Sequence, residues 1–453
     1  MTRSRLLLVL GAAAYMAALQ WIYPTIIVPA FNYAAMSYRP QSALTVALQF
    51  LFACLPATWL SKSFSRPSEF QCWVLYMTVI VPSCILPYHV TALPPATIHV
   101  YVLAIIACFG AMCWSARLRA LRIEFPAMSA GGYALLLSAI TVLTYGWLYR
   151  LLGWQNIFLP TEQVYELRTE LRSANIPALL GYLIWWQGLV VNPIISALGF
   201  VKRRWTLVIL SAVLQVQLYS VSSLRTFLAA MAFQLGIGVF MLVFRRRRGL
   251  VFLYALTGCS VAASVWYFWD PRALGPLLFL ERWIFNGGQL SGLYLEFFSN
   301  HAAAGITHSS FPLLSTLFPG PYDLPIGQVI GREYFFLGSD GVYTNATAHL
   351  WADGFAVARY PGLIGSTLVA IVLLRLADHA CRRQTPEFTI MAFSLVGMSL
   401  IGQSVLTTVM TGGFAPFVAL MLLMPRWREP HRSPPVVSSD EKHRPPDLGP
   451  PAV

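Results

Sequence analysis

Two residues four apart, His349 and Asp353, form the first pair in the chain whose types and spacing could do chemistry. On a helix they would share one face. An imidazole flanked by a carboxylate is held in one orientation and made more basic, which suits a general base. Glu296 is a second carboxylate able to take a proton from a hydroxyl. Four arginines, Arg225, Arg282, Arg332 and Arg359, supply the complementary capacity. Guanidinium groups hold phosphate oxygens and stabilise charge that develops on a leaving group. Each of these residues also has a plainer reading, as a packed histidine, a surface charge or an arginine snorkelling to headgroups. Arg225 stands apart because it lies in LYSVSSLRTFLAAMAF, at the turn between two apolar runs. Arginine at a helix centre costs about 2.5–3.5 kcal/mol on insertion scales, so one near a membrane is paired or useful.

Metal and cofactor chemistry have no such footing. The chain has no HExxH, no acidic cluster, no DxD, and no Walker or dinucleotide glycine loop. Its seven cysteines lie in apolar runs or at their edges without CxxC spacing, and read as small core residues. The expectation is a site without metal or cofactor.

Except for Arg225, these residues fall in the polar stretch 270–361, between apolar runs. Ordinary connections have a median of about 4–6 residues, so a stretch this long and this rich in titratable groups is where function is expected. Within it, PLLFLERWIFNGGQLSGLYLEFFSNH is amphipathic and aromatic and reads as a helix lying in the membrane interface. Glu281 and Arg282 are neighbours there and would point in different directions. Pro and Gly then punctuate an irregular loop. From Thr344 a helix is expected, capped by Thr344 or Asn345 and broken at Tyr360–Pro361. Trp283, Tyr294, Tyr334 and Trp351 could stack on sugar rings or anchor the loop at the interface.

What positions this stretch is an apolar scaffold. The chain is 57% hydrophobic and 11% charged, with a mean hydropathy of +0.62. Soluble domains carry about 25% charged residues. Runs long enough to cross a bilayer are placed at 6–23, 41–60, 71–88, 98–115, 129–149, 177–200, 205–221, 226–244, 249–268, 362–378, 388–406 and 408–425. The expected fold is all-α, a polytopic bundle of about twelve spans. Its units are a nine-helix bundle over 1–269, the loop 270–361, the helices of 362–425 and a disordered proline-rich tail at 426–453. Although the net charge is +13, most lysines and arginines fall in alternate loops. That is the positive-inside pattern rather than a nucleic-acid surface. Both termini are then cytoplasmic and the long loop faces outward. A second outward segment, TEQVYELRTELRSANIP, reads as a short surface helix capped by Thr161.

This layout resembles the Wzy-type polysaccharide polymerases and the related O-antigen ligases. The pieces that carry the resemblance are SSLRTF around Arg225 and TNATAHLWADGFAVARYPGLIGSTLV from Thr344, with a histidine ahead of Gly362-Leu363-Ile364-Gly365. The resemblance implies a GT-C-like glycosyltransferase in a bacterial inner membrane. Its substrates would be oligosaccharide repeat units on undecaprenyl diphosphate, and a flippase and a chain-length regulator would be its partners. Arg225 would contact the diphosphate, and His349 would take the place of the ligases' loop histidine. Leu350-Trp351 after His349, and the longer spacing to Gly362, favour polymerase over ligase. A lipid-linked oligosaccharide flippase is the non-enzymatic alternative.

Overall fold

The computed structural model describes residues 3–119, 125–153, 176–222, 225–305, 321–335 and 344–425. All regular structure among them is helical. Ten helices among the described residues are long and apolar enough to cross a membrane, so the chain is a multi-pass membrane protein. Two shorter apolar helices, Ala43–Ala57 and Pro386–Gly402, fall where the second and eleventh spans are expected. Several helices begin where short polar side chains can cap them. Ser42, Ser129, Thr385 and Ser404 each accept a backbone N–H from their own first turn. The expected helix around Thr161 and the proline-rich tail lie outside the described residues.

The centre of the bundle is the Pro67–Val90 helix, whose most apolar window is wholly buried. Its first turn is held by Asp378. The Ser68 N–H donates to Oδ1 at 2.9 Å and the Ser68 hydroxyl to Oδ2 at 2.6 Å. A carboxylate there is favoured by the exposed N–H groups of a helix start. The basic loops gather at this same end. Arg66 donates to the carbonyls of Ala116 and Leu118, Arg375 also donates to Leu118, and the Gly249 N–H donates to Lys62.

The segment expected to lie along the interface or dip into it exposes Leu274 and Leu278 at its start and is buried over most of Asn286–Asn300. Helical turns run from Leu274 through a π-helical stretch, Phe279–Phe285, into Asn286–Asn300. Gly287, Gly288 and Gly292 lie against Thr78, Pro82 and Val90, so this helix runs alongside and parallel to the central one. Any side chain at Gly288 would strike the Pro82 backbone. This stripe of small residues lets the two helix backbones approach closely and buries the faces between them.

The expected break near Tyr360 is a reversal. Ala358 and Arg359 leave helical geometry, with Arg359 at φ 52° and ψ −132°. Gly362 then sits directly on the Gly354 carbonyl, and Trp351 Nε1 donates to Thr367 Oγ1 at 3.0 Å. The two turns after His349 therefore fold back along the start of the long helix that ends at Cys381.

Candidate active site

A cleft of about 300 Å³ opens beside the end of the Arg5–Ala34 helix that is distal to the N-terminus. One wall is Phe31, Tyr33 and Ala34, the second is Glu281, Arg282, Asn286 and Leu290, and the third is the extended strip Thr344–Thr347 with Phe335. Gln289 donates to the Ala34 carbonyl and ties the first two walls together. The strip rests on the Ile326–Tyr334 helix, where Gly327 and Gly331 leave room for its backbone and the Ala346 N–H donates to Gly327 at 2.8 Å. A smaller chamber of about 90 Å³ shares Asn345 and Thr347 of the strip with the cleft. It is lined by Asn345, Thr347 and Asp353, and by Gln403, Ser404 and Thr407 at the break after Pro386–Gly402.

Arg282 is the expected cation that faces the cleft, with its side chain 65% exposed. Its Nε lies 2.8 Å from Oε2 of Glu281, although neighbours on a regular helix diverge. The π-helical stretch changes the register locally, as such stretches do at many functional sites. Glu281 is 6% exposed, and its Oε2 has no hydrogen-bond donor among the described residues. The contact with Arg282 is thus an ion pair without a directed hydrogen bond. Burial raises the Glu281 pKa, and the adjacent guanidinium offsets part of that rise.

The histidine has a different place from the one expected. The strip is not helical, so neither Thr344 nor Asn345 caps a helix, and Leu350 is the first helical residue. His349 is itself the cap. Its Nδ1 accepts the N–H groups of Trp351 at 3.2 Å and Ala352 at 3.4 Å. A nitrogen that accepts two N–H groups carries no proton, so the proton of the neutral ring is on Nε2. Nε2 then donates to Ser291 Oγ at 2.6 Å, and Ser291 in turn meets Ser83 Oγ at 2.8 Å. This looks like a serine–histidine dyad, but the ring nitrogen facing the serine is already protonated and cannot take the hydroxyl proton. Burial holds the ring neutral, with its pKa lowered to about 3. His349 and Asp353 do not share an outward face: His349 is turned inward and fully buried, while Asp353 borders the smaller chamber.

The remaining expected residues stand apart from the cleft. Glu296 accepts the Ala92 N–H at 2.7 Å and lies beside Tyr334. Arg359 is exposed at the reversal and donates to the His301 carbonyl at 3.3 Å. Arg332 is exposed near the end of its short helix. Arg225 opens the Arg225–Val243 helix, but its side chain lies outside the described part of the structure. Of the aromatic candidates, Trp351 is buried in the core, and Tyr294 is buried behind the strip, where it borders the smaller chamber. Tyr294 donates to the Ala346 carbonyl and pins the strip from behind. Trp283 packs on Phe233. Glu281 is absent from the residues first singled out, and the only cue for it in the sequence is an acid beside an arginine in an apolar segment.

Fold and site together define a multi-pass helical membrane protein with a polar cleft lined, among the described residues, by the exposed Arg282 and the buried Glu281. No family model, no curated protein and no solved structure matches the chain.

Proposed function

We propose that this protein is a membrane glycosyltransferase that joins lipid-diphosphate-linked oligosaccharides at the cleft, extending a polysaccharide on the outer face of a bacterial inner membrane. The observation that carries the proposal is the Glu281–Arg282 pair in an open cleft. An exposed guanidinium can receive a diphosphate leaving group, and the polar strip Thr344–Thr347 offers hydroxyl and amide partners to sugar hydroxyls. The volume is at the lower end of the range for ligand pockets, about 300–1,000 Å³. That is room for a sugar and a phosphate rather than for the whole lipid-linked chain. The smaller chamber that shares the strip adds a second polar surface.

The test is the polysaccharide ladder of cells whose only copy of the chain carries Arg282→Ala. Polymer shortened to single repeat units on the acceptor lipid is the expected result. Loss of all repeat units from the acceptor would indicate a ligase, and an unchanged ladder would remove Arg282 from the reaction.

A transporter is the second reading. It is favoured by a buried chain of amides, in which Gln187 donates to Asn192 at 2.8 Å and Asn192 to Gln215 at 2.8 Å inside the bundle. Polar groups within spans mark substrate paths in transporters. Proteoliposomes loaded with a fluorescent lipid-diphosphate sugar separate the two, since only a transporter equilibrates the probe across the bilayer without forming longer products.

A further inference from the structure

We infer that Glu281 is the proton acceptor of the cleft: its carboxylate takes the proton from the attacking sugar hydroxyl, a task for which the sequence offers His349, Glu296 and Asp353. This deepens the transferase reading and rests on it. Three observations carry the inference. Glu281 is a buried carboxylate lining an open cleft, so it is shielded from bulk water yet within reach of a ligand. Its Oε2 is buried against Arg282 Nε with no hydrogen-bond donor among the described residues, so no hydrogen bond fixes the carboxylate in an architectural role. The rival base, His349, is fully buried with Nδ1 engaged by two backbone N–H groups and Nε2 facing Ser291. Burial, which raises the proton affinity of Glu281, brings it closer to the pH at which a base works best. Arg282 and Tyr33 are the other titratable groups among the described residues lining the cleft.

The step balances without any further reactant. The hydroxyl oxygen forms its bond to the anomeric carbon while its proton passes to Glu281. The bond from that carbon to the diphosphate oxygen breaks, and the electron pair leaves with the diphosphate, facing Arg282. Glu281 then returns its proton to water in the open cleft. Arginine and carboxylate thus serve opposite ends of one displacement, and their contact at 2.8 Å keeps the carboxylate charged until the hydroxyl arrives.

The experiment measures polymer formation by spheroplasts incubated between pH 5 and 8, with the full chain carrying Glu281→Gln, Glu281→Ala or Thr347→Trp. Glu281→Gln keeps the shape and removes the base, so the rate should fall by about 10²–10⁴-fold, the usual contribution of a positioned acid or base. The amount of protein in the membrane should not change. Glu281→Ala should be equally slow and should recover part of its rate when formate is added, since a small carboxylate can occupy the vacated position. Purely structural roles do not give formate rescue. Near-normal rates in Glu281→Gln with a block in Thr347→Trp would overturn Glu281 as the base and leave the cleft standing. Normal rates in both would overturn the cleft reading itself. If Glu281→Gln fails to accumulate, an absence of formate rescue in Glu281→Ala overturns the inference.

Discussion

At the scale of single residues, His349 illustrates how a chemically capable side chain can be committed to architecture. Its ring caps a helix, bridges to Ser291 and is fully buried. This placement makes stability depend on pH in a definite direction. The folded pKa is lowered to about 3 from a model value of 6.5. Below about pH 6.5 the unfolded chain takes up a proton that the folded chain refuses, so stability falls steadily as the pH drops from 6.5 toward 3. His349→Asn retains a capping acceptor and cannot titrate. Thermal melting in detergent should show the variant weaker at pH 7.5 by about 1–3 kcal/mol, from the lost bond to Ser291. It should also be less sensitive to acid between pH 7 and 5 than the wild type. Equal acid sensitivity in both would show that the ring does not stay neutral. In the sequence, Asp353 stands at helical spacing from His349, but nothing signals this role, because an imidazole is not among the usual capping groups.

At the scale of elements, the apolar runs are readable because their signal is local, whereas the cap expected at Thr344 or Asn345 is His349 instead. The burial of Asn286–Asn300 on most of its faces does not follow from its amphipathic, aromatic character. The cue for it was present, in Gly287-Gly288 followed four residues later by Gly292, the spacing of a helix that another helix approaches closely. The ion pair of Glu281 and Arg282 had no such cue, since it depends on a π-helical register that composition does not announce. The reversal at Ala358–Arg359 yields a prediction of its own. Arg359 has a positive φ, a conformation that glycine adopts at little cost. Arg359→Gly should therefore raise thermal stability by about 1 kcal/mol. If Arg359 also contacts a diphosphate, the same variant should lose activity while becoming more stable. Unchanged stability would indicate that the turn is not strained by its side chain.

At the scale of the whole molecule, charge divides the bundle into two ends. Arg66, Arg375 and Lys62 meet at the one where the Pro67–Val90 helix begins. The cleft lies by Ala34, far along the first helix from the arginines near the N-terminus. The sequence reading assigns these ends to opposite faces of the membrane, and the assignment can be tested directly. With the exposed Cys259 replaced by serine, Asn345→Cys should react in intact cells with a membrane-impermeant maleimide. Lys62→Cys should react only after lysis. The reverse pattern would place the cleft in the cytosol and rule out transfer at the outer leaflet.

One short partition has a further consequence. The residues from Thr344 to Thr347 form a side of the larger chamber, and Asn345 and Thr347 also bound the smaller one. They are anchored from behind by Tyr294 and Gly327, and at their far end by the buried imidazole. A guest in either compartment must therefore press on a divider that the other compartment shares. Two occupants would sense each other through a few backbone atoms, with no rearrangement of the helices around them.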